Sequence, residues 1–171
     1  MKRIHVSIAE QKLTLIEDGQ PLAYYLVSTA LKGAGEISGS EQTPRGAHIV
    51  RAKIGTGAAP GTVFRGRRPT GEIWTPELGL QHPERDWILT RILWLSGTEV
   101  GRNRLSGCDS MRRYIYIHGT PDTEAMGEPR SHGCIRMRNS DVVDLFERTP
   151  VYTPVLIEEQ EWLRPPVSGL D

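Results

Sequence analysis

The sequence predicts a single-domain, mainly β protein, a sandwich or barrel with one short helix. Three observations support this prediction. Short segments in which apolar and polar residues alternate recur along the 171 residues, glycines and prolines separate them, and one segment alone shows helical periodicity. A chain of this length can bury a hydrophobic core without disulfide bonds. We place the domain at residues 1–158 and a C-terminal tail at residues 159–171.

The first third of the chain predicts three strands joined as two hairpins. Residues 4–8 alternate apolar and polar side chains, and residues 12–16 repeat the pattern. Gly19 lies in the turn that leads to a third strand at residues 22–29, where its tolerance of positive φ suits a tight connection. Residues 30–47 contain several glycines and a Thr-Pro-Arg-Gly sequence, so we expect a surface loop there.

The middle of the chain predicts two more strands. Residues 47–54 alternate in the same way. Residues 87–95 are long enough for a short helix, but their β-branched and aromatic side chains and the Gly97 that follows favour a strand.

A segment rich in glycine, proline and arginine, residues 55–71, is predicted to be irregular. It contains Arg65, Arg67 and Arg68. We interpret these arginines as solvated loop residues. The alternative is a carboxylate clamp, because a guanidinium group can form two parallel hydrogen bonds with one carboxylate.

The last third predicts a strand, the one helix and a closing strand. Residues 114–117 form a strand that runs directly into His118. Ser140 is predicted to cap a helix at residues 141–148, whose apolar side chains fall on one face. Residues 155–157 form the last strand. The members of the apolar helix face are Val142, Leu145 and Phe146.

Composition and the N-terminus limit the possible partners and locations. Basic and acidic residues balance at 21 each, so no nucleic-acid partner is expected. No stretch is long and apolar enough to span a membrane, and the alternating residues 4–8 do not resemble the apolar part of a signal peptide. We therefore expect a cytoplasmic monomer, or a periplasmic one if a leader has been removed.

Two neighbouring stretches, residues 114–120 and residues 130–137, hold the candidate chemistry. Cys134 lies in the second stretch with His132, and His118 lies in the first. A thiol is a strong nucleophile only as thiolate, and a nearby imidazole is the usual base that forms it. Gly133 allows a sharp turn before the cysteine, where backbone N–H groups could form an oxyanion hole. The hypothesis is a nucleophilic cysteine with a histidine base.

Other interpretations of these residues are possible. Cys108 fits a small buried hydrophobe or a loop thiol, and the remaining histidines fit structural roles. Cys108, His118, His132 and Cys134 would be formally sufficient for a zinc site. The spacing argues against zinc, because no Cys-x2-Cys or His-x3-His pair is present. We therefore expect no metal and no cofactor. The histidines assigned structural roles are His5, His48 and His82.

The two stretches together resemble the L,D-transpeptidase catalytic domain of the YkuD type. The resemblance rests on His118-Gly119-Thr120 followed by Ser131-His132-Gly133-Cys134-Ile135-Arg136-Met137, and it extends over most of the chain, most weakly over residues 55–110. It implies the family's β-sandwich or barrel, with one short helix after the cysteine.

The resemblance also implies roles for individual residues. Cys134 would be the nucleophile, and His118 the general base, oriented by the backbone carbonyl of Gly119. His132 would support the thiolate, and the N–H groups of Gly133 and Cys134 would bind the oxyanion. Three further residues would contact the substrate: Arg136, Ser131 and Tyr116.

The reaction implied is acyl transfer on a peptidoglycan stem peptide or soluble muropeptide. The cysteine would cleave the L,D bond between diaminopimelate and D-Ala through a thioester, which an amine acceptor would resolve. One alternative is an L,D-carboxypeptidase that hydrolyses soluble muropeptides during cytosolic murein recycling. A more remote alternative is a zinc-stabilised β module without enzymatic activity.

Overall fold

The structure, a computed structural model, describes residues 1–162. These residues fold as one curled, ten-stranded sheet, a half-barrel, with two short helices. The predicted mainly β class is therefore confirmed. The strands are β1 (Lys2–Ser7), β2 (Lys12–Glu17), β3 (Gln20–Leu26), β4 (Gly46–Ile54), β5 (Thr62–Arg65), β6 (Arg68–Ile73), β7 (Ile88–Gly97), β8 (Tyr116–Thr120), β9 (Ile135–Arg138) and β10 (Pro154–Glu158), and the helices are α1 (Pro76–Gln81) and α2 (Asn139–Arg148).

Strand β10, the last in the sequence, lies between the N-terminal strands and the rest of the sheet. Strands β1, β2 and β3 form an antiparallel meander, as the sequence predicts. Strand β10 pairs with β1 in parallel and with β4 in antiparallel orientation, and β4 then pairs with β7. Strand β7 also pairs with β5 and with β8, and β9 lies parallel to β8. The parallel pair of β8 and β9 brings the two chemically distinctive stretches side by side.

The largest apolar core packs α2 against one face of the sheet. The predicted apolar face of α2 is confirmed, because Val142, Leu145 and Phe146 are all buried in this core. A ten-residue helix is marginal in isolation, so this packing rather than intrinsic propensity stabilises it. The helix fixes the chain immediately after the cysteine loop and β9.

The predicted cap of this helix is wrong. Helix α2 begins at Asn139, and its N-cap residue, Arg138, makes no side-chain capping hydrogen bond. Ser140 lies inside the first turn instead. Arg138 is also the last residue of β9, so the strand passes straight into the helix and leaves no loop in which a serine could cap it.

Residues 55–71, predicted to be irregular, contain most of a hairpin formed by β5 and β6. Arg65 pairs with Arg68, and Gly66 and Arg67 form the two-residue turn with φ values of +54° and +64°. Such turns need positive φ at both central positions and usually contain Asn-Gly. The sequence did not predict this hairpin, because its turn has Gly-Arg at the two central positions.

The predicted helix after the cysteine is confirmed as α2, and within residues 1–162 the structure contains a second helix, α1, that the sequence did not indicate. Helix α1 begins at Pro76, and the Thr75 side chain accepts a hydrogen bond from the Leu78 N–H. It is six residues long and buries none of its side chains, so it has no apolar periodicity to detect.

Two further expectations concern the domain boundary and membrane-spanning helices. Strand β10 ends at Glu158, and residues 163–171 of the predicted tail lie outside the described residues, so the boundary at 158 stays a prediction. Neither helix within residues 1–162 is both long and apolar enough to cross a bilayer.

Candidate active site

The parallel pairing of β8 and β9 places four predicted site residues on one face of the sheet. Ile117 pairs with Ile135 and His118 with Arg136, so these partners share faces. Side chains alternate along a strand, and therefore Tyr116 lies on the His118 face and Cys134, just before β9, lies on the Arg136 face. The other face carries core residues. His118 thus lies inside β8, where the sequence suggested a position just beyond a strand.

Cys134 is a half-buried free thiol that contacts the backbone of two tyrosines. The Tyr116 N–H donates to Cys134 Sγ at 3.3 Å, and the thiol donates to the Tyr114 carbonyl at 3.2 Å. Burial raises the pKa of Cys134 to about 12, although the Tyr116 N–H acts to lower it. At neutral pH the resting sulfur is therefore a protonated thiol, and it needs a base to become a nucleophile.

His118 has the properties of that base. Its Nδ1 lies 2.7 Å from the Gly119 carbonyl, and because a carbonyl only accepts hydrogen bonds, Nδ1 carries the proton. The lone pair is then on Nε2, a buried atom that has no hydrogen-bond partner within residues 1–162. Burial also lowers the pKa of His118, so the imidazole is neutral and can accept a proton.

The carbonyl that orients His118 is held rigidly. Gly119 has no space for a side chain, because a Cβ atom there would lie 2.6 Å from both the Leu89 carbonyl and Asn139 Oδ1. Opposite it, β7 has an irregular register between Leu89 and Ile92, and Thr90 within it adopts a φ of +74°. A β-branched residue at positive φ is strained, and bulges of this kind are frequent beside active sites.

A tight turn presents the cysteine. Ser131 Oγ donates to the Cys134 carbonyl at 2.5 Å and accepts from the Gly133 N–H at 3.2 Å. Gly133 has a φ of +131°, which confirms that this position needs glycine. The buried Thr43 hydroxyl donates to the Gly133 carbonyl at 2.9 Å. Ser131 therefore supports the turn, and its predicted substrate contact stays a prediction, as does the oxyanion role of the Gly133 N–H.

An aspartate that the sequence analysis missed connects two predicted site residues. Asp86 Oδ1 lies 2.9 Å from Arg136 Nη2, and Asp86 Oδ2 lies 3.5 Å from His132 Nδ1. Burial alone would raise the pKa of Asp86, but the positive charge of Arg136 and the hydrogen bond from its guanidinium act in the opposite direction, and the pKa is lowered. The carboxylate is therefore ionised. Nothing in the sequence around residue 86 suggests this role, because its partners are 46 and 50 residues away along the chain.

These charged residues border an open cavity of about 770 Å³. Arg136 is mostly buried, whereas the His132 side chain is 61% exposed. The cavity wall therefore contains a mostly buried guanidinium and an exposed imidazole. Its lining includes Asp86, Arg130, His132, Arg136, Glu124 and Glu128.

A second missed residue, Arg113, lies beside the cysteine turn. Its Nη2 donates to the Gln42 carbonyl at 2.6 Å, and that carbonyl lies where a side chain on Gly133 would point. Burial lowers the pKa of Arg113. The Arg113 guanidinium in turn acts to lower the pKa of Cys134, so it would stabilise a thiolate when one forms.

Tyr116, predicted to contact substrate, also contacts an arginine. Its hydroxyl accepts a hydrogen bond from Arg67 Nη1 at 3.1 Å. The Arg67 guanidinium lies 4.6 Å from the Trp94 ring centroid and 5.1 Å from that of Tyr114. The tip of the β5–β6 hairpin is thereby attached to the strand that carries His118.

Cys108, His5 and His48 are buried and hydrogen-bonded to protein groups, as structural residues usually are. Cys108 is 7% exposed, and its thiol donates to the Leu105 carbonyl. His5 and His48 are buried, the first against Glu158 and the second between a carbonyl and the Ser110 hydroxyl. Within residues 1–162 there is no group of three or more His, Cys, Asp or Glu side chains that could hold a metal ion.

The chain matches a known protein family over most of its length. The family model of the YkuD L,D-transpeptidase catalytic domain matches residues 1–157. YqjB of Bacillus subtilis, which carries the L,D-transpeptidase name, is 54% identical over 47 residues, 28% of this chain. The resemblance inferred from the sequence is confirmed.

Solved structures support the same fold. An L,D-transpeptidase from Mycobacterium smegmatis is 18% identical, with a TM-score of 0.54 over 92% of this chain. L,D-transpeptidase 3 from Mycobacterium tuberculosis, in complex with a faropenem-derived adduct, is 16% identical with a TM-score of 0.57 over 92% of this chain. The match spans 27% of YqjB, and the chain covers 58% and 60% of these two structures.

Proposed function

The chain belongs to the YkuD family of L,D-transpeptidase catalytic domains, and we propose that it is a cysteine acyl transferase. The family acts on peptidoglycan. In this proposal the enzyme cleaves the L,D bond between diaminopimelate and D-Ala in a tetrapeptide stem and transfers the acyl group to an amine. The observation that supports it most is the free Nε2 of a neutral His118 on the same sheet face as a thiol.

Acylation begins with transfer of the thiol proton. His118, in β8, and Cys134, just before β9, are diagonal neighbours on the same face of the sheet. His118 Nε2 accepts the proton from Cys134 Sγ, and the sulfur attacks the carbonyl carbon of the third stem residue. Because the thiol and the imidazole are both neutral at rest, this transfer accompanies attack on bound substrate.

Collapse of the tetrahedral intermediate releases the fourth residue. The C–N bond breaks, and the imidazolium of His118 returns the proton to the leaving D-Ala amine. A thioester between Cys134 and the third residue remains. The Gly119 carbonyl, which accepts from Nδ1–H, keeps the imidazole in place and stabilises its positive charge during this step.

Resolution of the thioester repeats these steps in reverse. An incoming amine loses a proton to His118 as its nitrogen attacks the thioester carbonyl, and the sulfur leaves as the thiolate, which His118 then reprotonates. Arg113 favours the thiolate leaving group through its positive charge. Asp86 holds Arg136 in the wall of the cavity, which part of the peptide substrate would occupy.

Incubation of the protein with a disaccharide-tetrapeptide, followed by mass spectrometry, tests the proposal. We expect loss of D-Ala and a thioester on Cys134, both absent in Cys134→Ala and retained in Cys108→Ala. Cross-linked dimers or exchange of D-Ala for an added D-amino acid would identify a transferase, whereas tripeptide alone would identify an L,D-carboxypeptidase. An unmodified tetrapeptide and an unmodified protein would contradict the proposal.

A further inference from the structure

The geometry points to Arg67 as the residue that binds the C-terminal carboxylate of the peptide substrate. This inference rests on the proposed function and adds a specificity to it: the enzyme would act on stems whose residue after the cleaved bond ends in a free carboxylate. Arg67 is at the tip of the β5–β6 hairpin, in a segment whose sequence suggested a solvated loop or a carboxylate clamp.

Three aromatic side chains hold the Arg67 guanidinium in one position. It stacks against the rings of Trp94 and Tyr114, and Nη1 donates to the Tyr116 hydroxyl. Trp94 also packs edge-on against Tyr116, with ring centroids 5.9 Å apart. Since a guanidinium has five N–H donors, a single hydrogen bond leaves most of them available. A donor group that is already oriented loses less conformational entropy when it binds a carboxylate.

Arg67 has no acidic partner within residues 1–162, unlike the arginines of the large cavity. Arg136 is paired with Asp86, Arg130 with Glu128, and Arg85 with Glu72. A substrate carboxylate that approached these arginines would have to displace a protein carboxylate. Arg67 presents an unneutralised cation, so binding there requires no such exchange.

The same two tyrosines connect Arg67 to the nucleophile. Tyr114 and Tyr116 contact Cys134 Sγ through their backbone atoms and Arg67 through their side chains. The thiol and the guanidinium therefore contact opposite ends of the same residue, Tyr116. The leaving residue of the substrate is the part that would extend from the sulfur toward Arg67.

Substrates with different C-termini test this assignment. We would compare a tetrapeptide stem that has a free C-terminal carboxylate with the same stem as its carboxamide. Charge-assisted hydrogen bonds predict that the wild type prefers the acid by at least about tenfold in kcat/KM. Arg67→Gln should bring the ratio of acid to amide close to one, mainly through KM, and Arg67→Lys should give an intermediate ratio. Arg65→Gln, on the same hairpin, should keep the wild-type ratio.

A second measurement does not depend on turnover. Iodoacetate and iodoacetamide alkylate thiols alike, but only iodoacetate carries a carboxylate. We expect the ratio of their rates at Cys134 to fall several-fold in Arg67→Gln and to stay unchanged in Arg65→Gln. Thermal unfolding of each variant would establish that the hairpin mutants remain folded.

The outcomes separate the two proposals. If the wild type turns over both peptides equally, or if Arg67→Gln keeps the preference for the acid, the assignment of Arg67 is wrong while the acyl-transferase function stands. If neither peptide reacts but the rate of Cys134 alkylation by iodoacetate depends on Arg67, the proposed function fails and the carboxylate site remains. If Arg65→Gln and Arg67→Gln reduce the preference for the acid equally, the preference reflects a general effect of positive charge, and the assignment of Arg67 is wrong.

Discussion

Asp86 is ion-paired with Arg136, which lies two residues after the candidate nucleophile, at an Oδ1 to Nη2 distance of 2.9 Å. The arginine side chain is 11% exposed and the aspartate 42% exposed. The pair therefore lies at the boundary between the sheet and the large cavity. Asp86, which lies 50 residues before Arg136 in the sequence, thereby holds one wall of the candidate site in place.

Replacing Asp86 with Asn should destabilise the protein and reduce activity. The mostly buried guanidinium of Arg136 would lose its charge partner, and because Asp86 is partly solvated we expect the free energy of unfolding to fall by about 1–2 kcal/mol. Urea denaturation measures this change. The matched control, Glu84→Gln, removes an exposed carboxylate from the same segment and should change stability by less than about 0.5 kcal/mol. Equal effects in both variants would contradict a specific role for the pair.

The two histidines near the cysteine should differ in importance. His118→Ala removes the proposed base, so the rate of Cys134 acylation should fall about 10²- to 10⁴-fold. His132→Ala should cost less than about tenfold, because that side chain is largely exposed and contacts Asp86 at 3.5 Å. Pre-steady-state acylation followed by mass spectrometry would measure both. A larger loss in His132→Ala would reverse the assignment of the base.

Covalent labelling should distinguish the two cysteines. A carbapenem is expected to acylate Cys134 and to leave Cys108 unmodified, because Cys108 is buried and its thiol donates to the Leu105 carbonyl. Peptide mapping of the labelled protein would locate the adduct. Labelling should persist in Cys108→Ala and disappear in Cys134→Ala. An adduct confined to Cys108 would place the nucleophile elsewhere.

The buried His48 should make the fold sensitive to acid. Burial lowers the pKa of His48 from 6.5 to about 4. As the pH falls below 6.5, the unfolded chain binds a proton that the native state does not, so stability decreases until the native group titrates near pH 4. The loss attributable to His48 is about 3 kcal/mol.

Urea unfolding at several pH values between 4 and 7.5 would test this pH dependence. His48→Gln, which cannot be protonated, should show a shallower dependence than the wild type. His82→Gln changes a surface histidine and should keep the wild-type slope. An unchanged slope in His48→Gln would attribute the acid sensitivity to other groups, among them His118, whose pKa burial also lowers.

The sequence was most informative where the side chains of a regular element are buried. The apolar face of α2 could be predicted because burial of one side imposes a period on the sequence. The strand at residues 87–95, buried along most of its length, could be predicted from its β-branched and aromatic side chains. Helix α1 buries none of its side chains, and the β5–β6 turn uses Gly-Arg, so neither shows such a signal. Strand β9 is four residues long and follows a tight turn, which leaves no room for an alternating pattern.

The same limit applies to the candidate site. Cys134 and His118 could be proposed because a distinctive motif surrounds them, and the register of β8 and β9 places them on one face. Asp86 and Arg67 act through contacts with residues about 50 positions away, and Arg113 through a carbonyl 71 positions away. Contacts of this kind depend on tertiary folding and leave no local pattern.

The position of β10 has a consequence for how the chain acquires this fold during synthesis. Strand β10 lies between β1 and β4 and pairs with both. In a nascent chain on the ribosome, the facing edges of β1 and β4 would therefore stay unpaired until residue 158 had emerged. A chaperone that covers those two edges would raise the yield of correctly assembled sheet.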